Sequence, residues 1–213
     1  MLPLVVVGVG GFGRETLDVI AAVNAHGARP VFNVLGVVDA NPSKVNLKRL
    51  RARGIAYLGT ETEWIAQGES ADFLIAIGSP RVRAKVATLF LKAGYSAATV
   101  MHPSAGVGAA TTIDAGSIVC AGVQISTNVR VGEYVHINPN ATIGHDTILA
   151  DFVSVNPAAV VSGDVCVHAR VLIGAGAVIL QGLAVGSDST IGAAACVVRD
   201  VPANTTVKGV PAQ

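Results

Sequence analysis

The sequence predicts a chain of two parts, an α/β domain followed by a triangular coil of short strands. Across residues 107–202 every sixth residue is Val, Ile or Leu, sixteen times out of sixteen and without an insertion. Before this repeat, an apolar run at residues 4–9 leads through a glycine-rich turn into a helical pattern. Aromatic residues make up only 4% of a chain that is 51% hydrophobic, as expected of an interior filled by Val, Ile and Ala.

The period of six is neither that of an α-helix nor that of a simple strand alternation. It fits one flat wall of a coil, a short extended run followed by a bend, and a fixed short period is typical of stacked architectures. Three such walls close a coil of eighteen residues. Residues eighteen apart then stack and fill the interior, for example Ile125, Ile143, Val161 and Ile179.

The first hundred residues carry a candidate nucleotide site. The segment 8–13 reads Gly-Val-Gly-Gly-Phe-Gly between a predicted strand and a predicted helix, where free N–H groups and the helix dipole favour a phosphate. A second strand at 34–38 ends in Asp39, a position that commonly contacts a ribose or base. A third strand at 73–77 precedes Gly78 and a helix at 81–93. The alternative is a purely structural tight turn. Only one mononucleotide-binding half fits before the repeat, which disfavours a nicotinamide cofactor.

The third residue of each six lies near a corner of the coil, and one corner carries a candidate catalytic group. Asp146 follows His145 in the sequence, and Gly163 comes one coil later. A histidine base beside a backbone N–H that can stabilise an oxyanion is the minimum for acyl transfer. The alternative interpretation is an ordinary surface histidine. The residues that share this corner at intervals of eighteen are Thr127, His145, Gly163, Gln181 and Arg199.

The repeat resembles that of the hexapeptide-repeat acyltransferases, which fold as left-handed parallel β-helices. The whole chain resembles the sugar acetyltransferases of NeuD/PglD type, which include UDP-4-amino-sugar, GDP-perosamine and sialic-acid acetyltransferases. The left hand of the coil comes from this resemblance, because the ordinary crossover rule favours the opposite hand. The resemblance also implies acetyl-CoA as co-substrate and a homotrimer with acetyl-CoA in the groove between subunits.

The resemblance assigns roles residue by residue. It implies His145 and Asp146 as the catalytic pair, with the Gly163 N–H on the acetyl carbonyl. The positions it implies for acetyl-CoA are Gly163, Ala175 and Ala193, together with Lys208 in a tail typical of these enzymes, where a solvated lysine is the alternative. The positions implied for the nucleotide-linked sugar are Gly10, Gly11, Phe12, Asp39, Gly78 and Asn138.

Two positions depart from the family pattern. Ser154 stands where some members carry a second histidine nine residues after the base, so any role of that histidine is lost or taken elsewhere. Ala40 stands where some members have a second acidic residue after the one matching Asp39. The second departure leaves UDP and GDP open as the nucleotide.

The sequence therefore predicts a nucleotide-sugar-binding domain at 1–101 and a left-handed β-helix with a C-terminal tail at 102–213. The predicted activity is acetyl-CoA-dependent N-acetylation of a UDP- or GDP-linked amino-sugar by direct transfer. Sugar O-acetylation is the alternative, followed by a non-catalytic scaffold or a zinc β-helix protein. No metal is expected, because His136, His145 and His168 take different places in their repeats. A net charge of +1 suggests no nucleic-acid partner, and no apolar run suggests a membrane span or signal peptide, so a cytoplasmic location is expected.

Overall fold

The computed structural model describes residues 1–213, and the chain divides into two compact units. The first unit comprises Met1–Gly78 and Val82–Val100, and the second comprises Ser79–Arg81 and Met101–Gln213. The sequence placed the boundary after residue 101, whereas Met101 belongs to the second unit.

The first unit is built on a parallel three-stranded sheet in the order β2-β1-β3. Its strands are β1 (Leu2–Val7), β2 (Phe32–Val38) and β3 (Asp72–Ile75). Since both faces of a parallel sheet are covered, the strands are continuous apolar runs, and the residues of β1 from Leu4 to Val7 are fully buried. The predicted strand at 97–100 is reduced to a single bridge between Ala97 and Phe73.

Four helices flank this sheet in the chain order. They are α1 (Gly11–His26), α2 (Lys44–Ala52), α3 (Glu61–Gln67) and α4 (Pro80–Lys92). Thr60 and Glu63 form a reciprocal capping box at the start of α3, which satisfies two backbone N–H groups that the helix itself leaves unbonded. None of the four helices has the length and apolar character that a membrane crossing requires.

The second unit is a three-walled coil of two-residue parallel strands. The first wall contains seven strands, the second six and the third five. The strands in chain order are β4 (Val100–Met101), β5 (Gly106–Val107), β6 (Thr112–Ile113), β7 (Ile118–Val119), β8 (Gln124–Ile125), β9 (Arg130–Val131), β10 (His136–Ile137), β11 (Thr142–Ile143), β12 (Ile148–Leu149), β13 (Ser154–Val155), β14 (Val160–Val161), β15 (Cys166–Val167), β16 (Leu172–Ile173), β17 (Val178–Ile179), β18 (Ala184–Val185), β19 (Thr190–Ile191), β20 (Cys196–Val197) and β21 (Thr206–Val207).

The register confirms the predicted eighteen-residue coil. Ile143 pairs with Ile125 on one side and with Val161 on the other. The inward aliphatic residues from Val119 onward are buried, and Ile143 and Val161 have no exposed surface. Val107 is the exception to the predicted interior, with 40% of its surface exposed, because it belongs to the first coil and no coil of the prism lies beyond it.

Each corner of the prism bends at a residue in the left-handed region. The position three residues after the buried aliphatic has positive φ at corner after corner, for example Asn128 (58°), Asp146 (60°) and Ala158 (57°). Such a backbone is unusual for residues other than Gly, Asn and Asp. The coils impose it on Ala, Tyr, Phe and Arg as well, so the bend is set by the packing of the walls and not by the local residue alone.

Candidate active site

The glycine-rich turn of the first unit has two kinds of glycine. Gly8 has a φ of +110°, and a Cβ at Gly13 would lie 1.9 Å from the Gly8 carbonyl oxygen, so both are required by the packing of α1 on β1. Gly10 and Gly11, in contrast, have no atom within 4 Å of the place where a Cβ would stand. The protein itself does not require glycine there. A ligand that approaches the backbone closely does.

The N-terminus of α1 is open to an anion. Its cap residue, Gly10, makes no side-chain cap hydrogen bond, and the first turn carries no acidic residue. The first N–H groups of a helix have no intrahelical acceptor, and together with the dipole they favour a phosphate. Phe12, also assigned to the sugar nucleotide by resemblance, is half-buried in this first turn.

Asp39 already has protein partners. Its Oδ2 accepts the N–H of Val9 at 2.9 Å, and its Oδ1 accepts the N–H of Asn41 at 2.8 Å. The carboxylate therefore ties the glycine-rich turn to the end of β2, a role the sequence did not reveal. Each oxygen keeps a second lone pair, and the contact with a ribose or base stays a prediction.

The loop after β3 contains Gly78, which also has nothing within 4 Å of a would-be Cβ. The carbonyls of Ile77 and Gly78 accept hydrogen bonds from Nη1 of Arg83, at 2.7 and 3.3 Å. Arg83 is fully buried, and this burial lowers its pKa to about 9. Sequence reasoning missed Arg83, because nothing in a helical segment marks one arginine as buried.

The second unit brings together the predicted catalytic pair at the corner between the second and third walls, which we call the His145 corner. Nδ1 of His145 lies 2.7 Å from Oδ2 of Asp146. This hydrogen bond, followed by one from Asn128, lowers the pKa of Asp146. Because the carboxylate is ionised, Nδ1 is the donor, and the remaining ring nitrogen, Nε2, is the one able to accept a proton.

Asn128 is a second residue of this corner that sequence reasoning missed. Its Nδ2 donates to Oδ1 of Asp146 at 3.1 Å. Asn128 precedes Asp146 by eighteen residues, and Asp146 N donates to the carbonyl of Thr127. The repeat itself was the available signal, because it stacks residues eighteen apart.

Gly163 lies directly beneath the imidazole. A Cβ on Gly163 would stand 2.6 Å from Cε1 and Nε2 of His145, so only glycine lets the ring take this position. The space that glycine was expected to leave open is therefore filled by the ring, and Gly163 is buried. Its N–H donates to no protein atom, whereas its carbonyl accepts the N–H of Gly182. The N–H is thus free to serve as the predicted donor.

The other positions assigned to acetyl-CoA lie at a different corner of the chain. Ala175 and Ala193 follow β16 and β19 of the first wall, at the corner between the first and second walls. Both are exposed, and neither N–H donates to a protein atom. The structure therefore separates them from Gly163 by the width of the second wall.

Lys208 belongs to the tail that closes the end of the prism. Its Cβ would be 3.0 Å from one added to Gly192, the residue before Ala193. The Lys208 N–H donates to the carbonyl of Gln213 at 3.0 Å, and the tail is held further by Ala212, whose N–H donates to the carbonyl of Cys196. The Lys208 side chain is exposed, so a contact with a phosphate is sterically possible and stays a prediction.

Asn138 is placed away from His145. It is 8% exposed, and its Nδ2 donates to the carbonyl of Val155 at 2.9 Å. It follows β10, whereas His145 follows β11, so the two residues occupy different corners of one chain. Within a single chain Asn138 therefore stabilises the coil, and its assignment to the substrate stays a prediction.

The histidines of the prism do not form a metal site. No group of three His, Cys, Asp or Glu side chains in the structure is placed to hold a metal ion. His136 is buried and pairs in register with Ser154 on the first wall, whereas His168 is exposed and lies 3.9 Å from the sulfur of Cys166.

Two groups of solved structures share this fold over nearly the whole chain. One is a histidine-to-asparagine variant of perosamine N-acetyltransferase from Caulobacter crescentus in complex with CoA and GDP-perosamine; it is 29% identical, with a TM-score of 0.88 over 99% of this chain and 95% of that one. Another is the acetyltransferase domain of PglB from Neisseria gonorrhoeae in complex with acetyl coenzyme A; it is 28% identical, with a TM-score of 0.83 over 99% of this chain and 98% of that one.

The coils and the histidine–aspartate corner place the chain in the class of hexapeptide-repeat, left-handed β-helix acyltransferases. Residues 3–90 match the family model described as the PglD N-terminal domain. GDP-perosamine N-acetyltransferase of Escherichia coli O157:H7 is 31% identical over 144 residues, 68% of this chain; the chain spans 62% of that relative's length. The chain belongs to the NeuD/PglD-type sugar acetyltransferases.

Proposed function

We propose that this protein transfers the acetyl group of acetyl-CoA to the amine of a nucleotide-linked amino-sugar. The observation that carries the proposal is the His145–Asp146 pair, whose 2.7 Å hydrogen bond commits Nδ1 and leaves Nε2 without a protein partner. About half of the His145 side chain is exposed, so a substrate can reach Nε2. The relatives support nitrogen over oxygen as the acceptor, because the proteins named above are N-acetyltransferases of perosamine.

The proposed reaction is a direct transfer. As the sugar amine attacks the thioester carbonyl, a C–N bond forms and Nε2 of His145 takes the amine proton. The Gly163 N–H stabilises the oxyanion of the tetrahedral intermediate. Collapse then breaks the C–S bond, and the CoA thiolate leaves with the proton held by His145. Asp146, ionised and hydrogen-bonded to Nδ1, orients the ring and stabilises its protonated form. No cysteine shares this corner, which supports direct transfer over an acyl-enzyme.

The Gly163→Ala variant tests the close contact between Gly163 and the ring. A methyl group 2.6 Å from two ring atoms must displace the imidazole, and a shift of about 1 Å at a reacting group costs on the order of 100-fold in turnover. We expect kcat to fall by about that factor while the melting temperature stays within a few degrees. Steady-state kinetics with both substrates measure the effect.

Gly182→Ala is the matched control for Gly163→Ala. Gly182 stands at the same corner with a φ of 74° and nothing within 4 Å of its would-be Cβ, and alanine adopts this backbone at Ala158 and Ala194. Equal losses in the two variants would contradict the proposed contact with the ring.

A thermal-shift screen of UDP- and GDP-linked amino-sugars, each with and without acetyl-CoA, tests the nucleotide proposal, and GDP-perosamine is the first ligand to try. The Gly11→Ala variant sharpens it. Alanine meets no protein atom there and favours the helix by about 0.5–1 kcal/mol. We expect the free variant to melt at or above the temperature of the unmodified protein but to lose most of the shift from the nucleotide sugar.

The acetyl-CoA shift is the internal control of that screen and should be unchanged by Gly11→Ala. A nucleotide-sugar shift as large in the variant as in the unmodified protein would contradict a phosphate site at this turn. A fall in both shifts would indicate a general change in the protein.

The working form is proposed to be a homotrimer in the cytoplasm, where acetyl-CoA and nucleotide sugars are available. Three large apolar side chains of the outer walls support a partner subunit, since Ile148, Leu180 and Val198 are 41%, 43% and 45% exposed. Leu180 and Val198 are eighteen residues apart and form one apolar line beside the His145 corner. Light scattering should give three times the chain mass of 21.5 kDa.

A further inference from the structure

We infer that Asn128 is a positioning residue for the reaction: it holds the Asp146 carboxylate in the orientation that His145 requires. The inference rests on the proposed function of His145 as the base. Each oxygen of the one carboxylate receives its own donor. Oδ2 accepts from Nδ1 of His145 at 2.7 Å, and Oδ1 accepts from Nδ2 of Asn128 at 3.1 Å.

Two donors on two oxygens fix the plane of the carboxylate. Asp146 needs this, because 51% of its side chain is exposed and water competes for both oxygens. With His145 as the only partner, the carboxylate could rotate and pair Nδ1 only part of the time. Asn128 lies on the preceding coil, whose main chain accepts the Asp146 N–H through Thr127 at 3.1 Å. The amide donor is therefore carried by the coil that also sets the Asp146 backbone.

The backbone does not explain why this position is asparagine. Asn128 has a φ of 58°, but the equivalent corner positions Ala110, Ala158 and Ala194 adopt φ values of 55–57° with alanine. The Asn128 N–H donates to the carbonyl of Ala109, a bond that any residue except proline keeps. The side-chain amide is thus free of a folding duty at the main chain, and its one printed partner is Asp146.

Asn128→Ala removes the donor without disturbing the coil. A hydrogen bond to a charged group is typically worth more than one between neutral groups, and exposure reduces its contribution, so we expect kcat to fall about 5- to 10-fold. The KM for acetyl-CoA should stay within a factor of about two, since the amide faces Asp146. The melting temperature should change by no more than a few degrees.

Asn128→Asp turns the donor into a second carboxylate of nearly the same shape. A negative charge some 6–8 Å from the imidazole stabilises its protonated form, and the base must be neutral to accept a proton. The acid limb of the kcat/KM profile therefore moves to higher pH, by about half to one pH unit. The charged side chains on the coils packed above and below this corner are Arg130 and Asp164, and both are retained in the variant.

The experiment compares the pH dependence of kcat/KM for the unmodified protein, Asn128→Asp, Asn128→Ala and Asn204→Asp. Asn204→Asp is the control, because it makes the same change at another left-handed corner, with φ 58°, about three coils further along. We expect the acid limb to move only in Asn128→Asp. Equal displacement in the two aspartate variants, or none in either together with unchanged kcat in Asn128→Ala, would overturn the inference.

His145→Ala separates this inference from the proposed function. If His145→Ala keeps near-normal turnover, the proposed base is wrong and the contact with Asn128 has no catalytic meaning. If His145→Ala is inactive while both Asn128 variants behave as the unmodified protein, only the role of Asn128 is rejected.

Discussion

His145→Ala is expected to lower kcat about 100- to 10,000-fold, the usual loss when a general base is removed. The loss should appear in kcat and in kcat/KM alike, because His145 acts on the proton that moves in the transition state. Binding of acetyl-CoA and of the nucleotide sugar should persist. The fold should persist as well, since about half of the His145 side chain is exposed and its only side-chain hydrogen bond is to Asp146.

His168→Ala is the matched control for this experiment. His168 is an exposed histidine of the same prism, and its neighbour is the sulfur of Cys166 at 3.9 Å. We expect its kcat to stay within a factor of about two, as for a surface residue without a catalytic contact. Turnover of His145→Ala close to that of His168→Ala, in steady-state assays with both substrates saturating, would refute the assignment of the base.

Ile143→Asp is expected to have the largest effect on stability. Ile143 has no exposed surface and stacks between Ile125 and Val161. A carboxylate there has no partner inside the aliphatic prism, and burying an unpaired charge belongs to the few changes that cost more than about 4 kcal/mol. We expect the variant to lose its cooperative thermal transition or to melt far below the unmodified protein in circular dichroism. Because the coils on either side pack on this residue, the damage should spread beyond one turn.

Thr142→Asp places the same carboxylate one residue earlier in the strand. Thr142 is exposed on the outer face of the second wall, so the charge stays in water, and a surface change of this kind costs about 1 kcal/mol or less. If the two variants melt together, the stack of buried aliphatics is not what holds the prism.

The sequence predicted the second unit well because its environment repeats. Each coil presents the same inward position to the same neighbours, so sixteen aliphatic residues at one spacing reveal both the walls and the register that pairs Ile143 with Ile125. The glycine-rich turn was predicted for a similar reason, since its place between a strand and a helix restricts the backbone. The first unit was predicted less completely, and α2 and α3 were not predicted.

The assignment of the remaining site residues depended on distances that no pattern contains. Asn138 is a buried residue at its own corner, and Asp39 has both oxygens engaged by backbone N–H groups. Lys208 lies in a tail that folds back to close the prism. In each case the residue type fitted a ligand, but partners distant in the sequence decided what the side chain touches.

By itself, the sequence determined the eighteen-residue coil, the His145–Asp146 neighbours and the strand–glycine–helix turn, because each depends on spacing along the chain. Only the tertiary structure decided that the imidazole rests on Gly163, that Asn128 reaches the Asp146 carboxylate, and that Arg83 is sealed beneath the Gly78 loop. These contacts follow from how coils and helices pack in three dimensions, where a shift of about 1 Å separates a working geometry from an idle one.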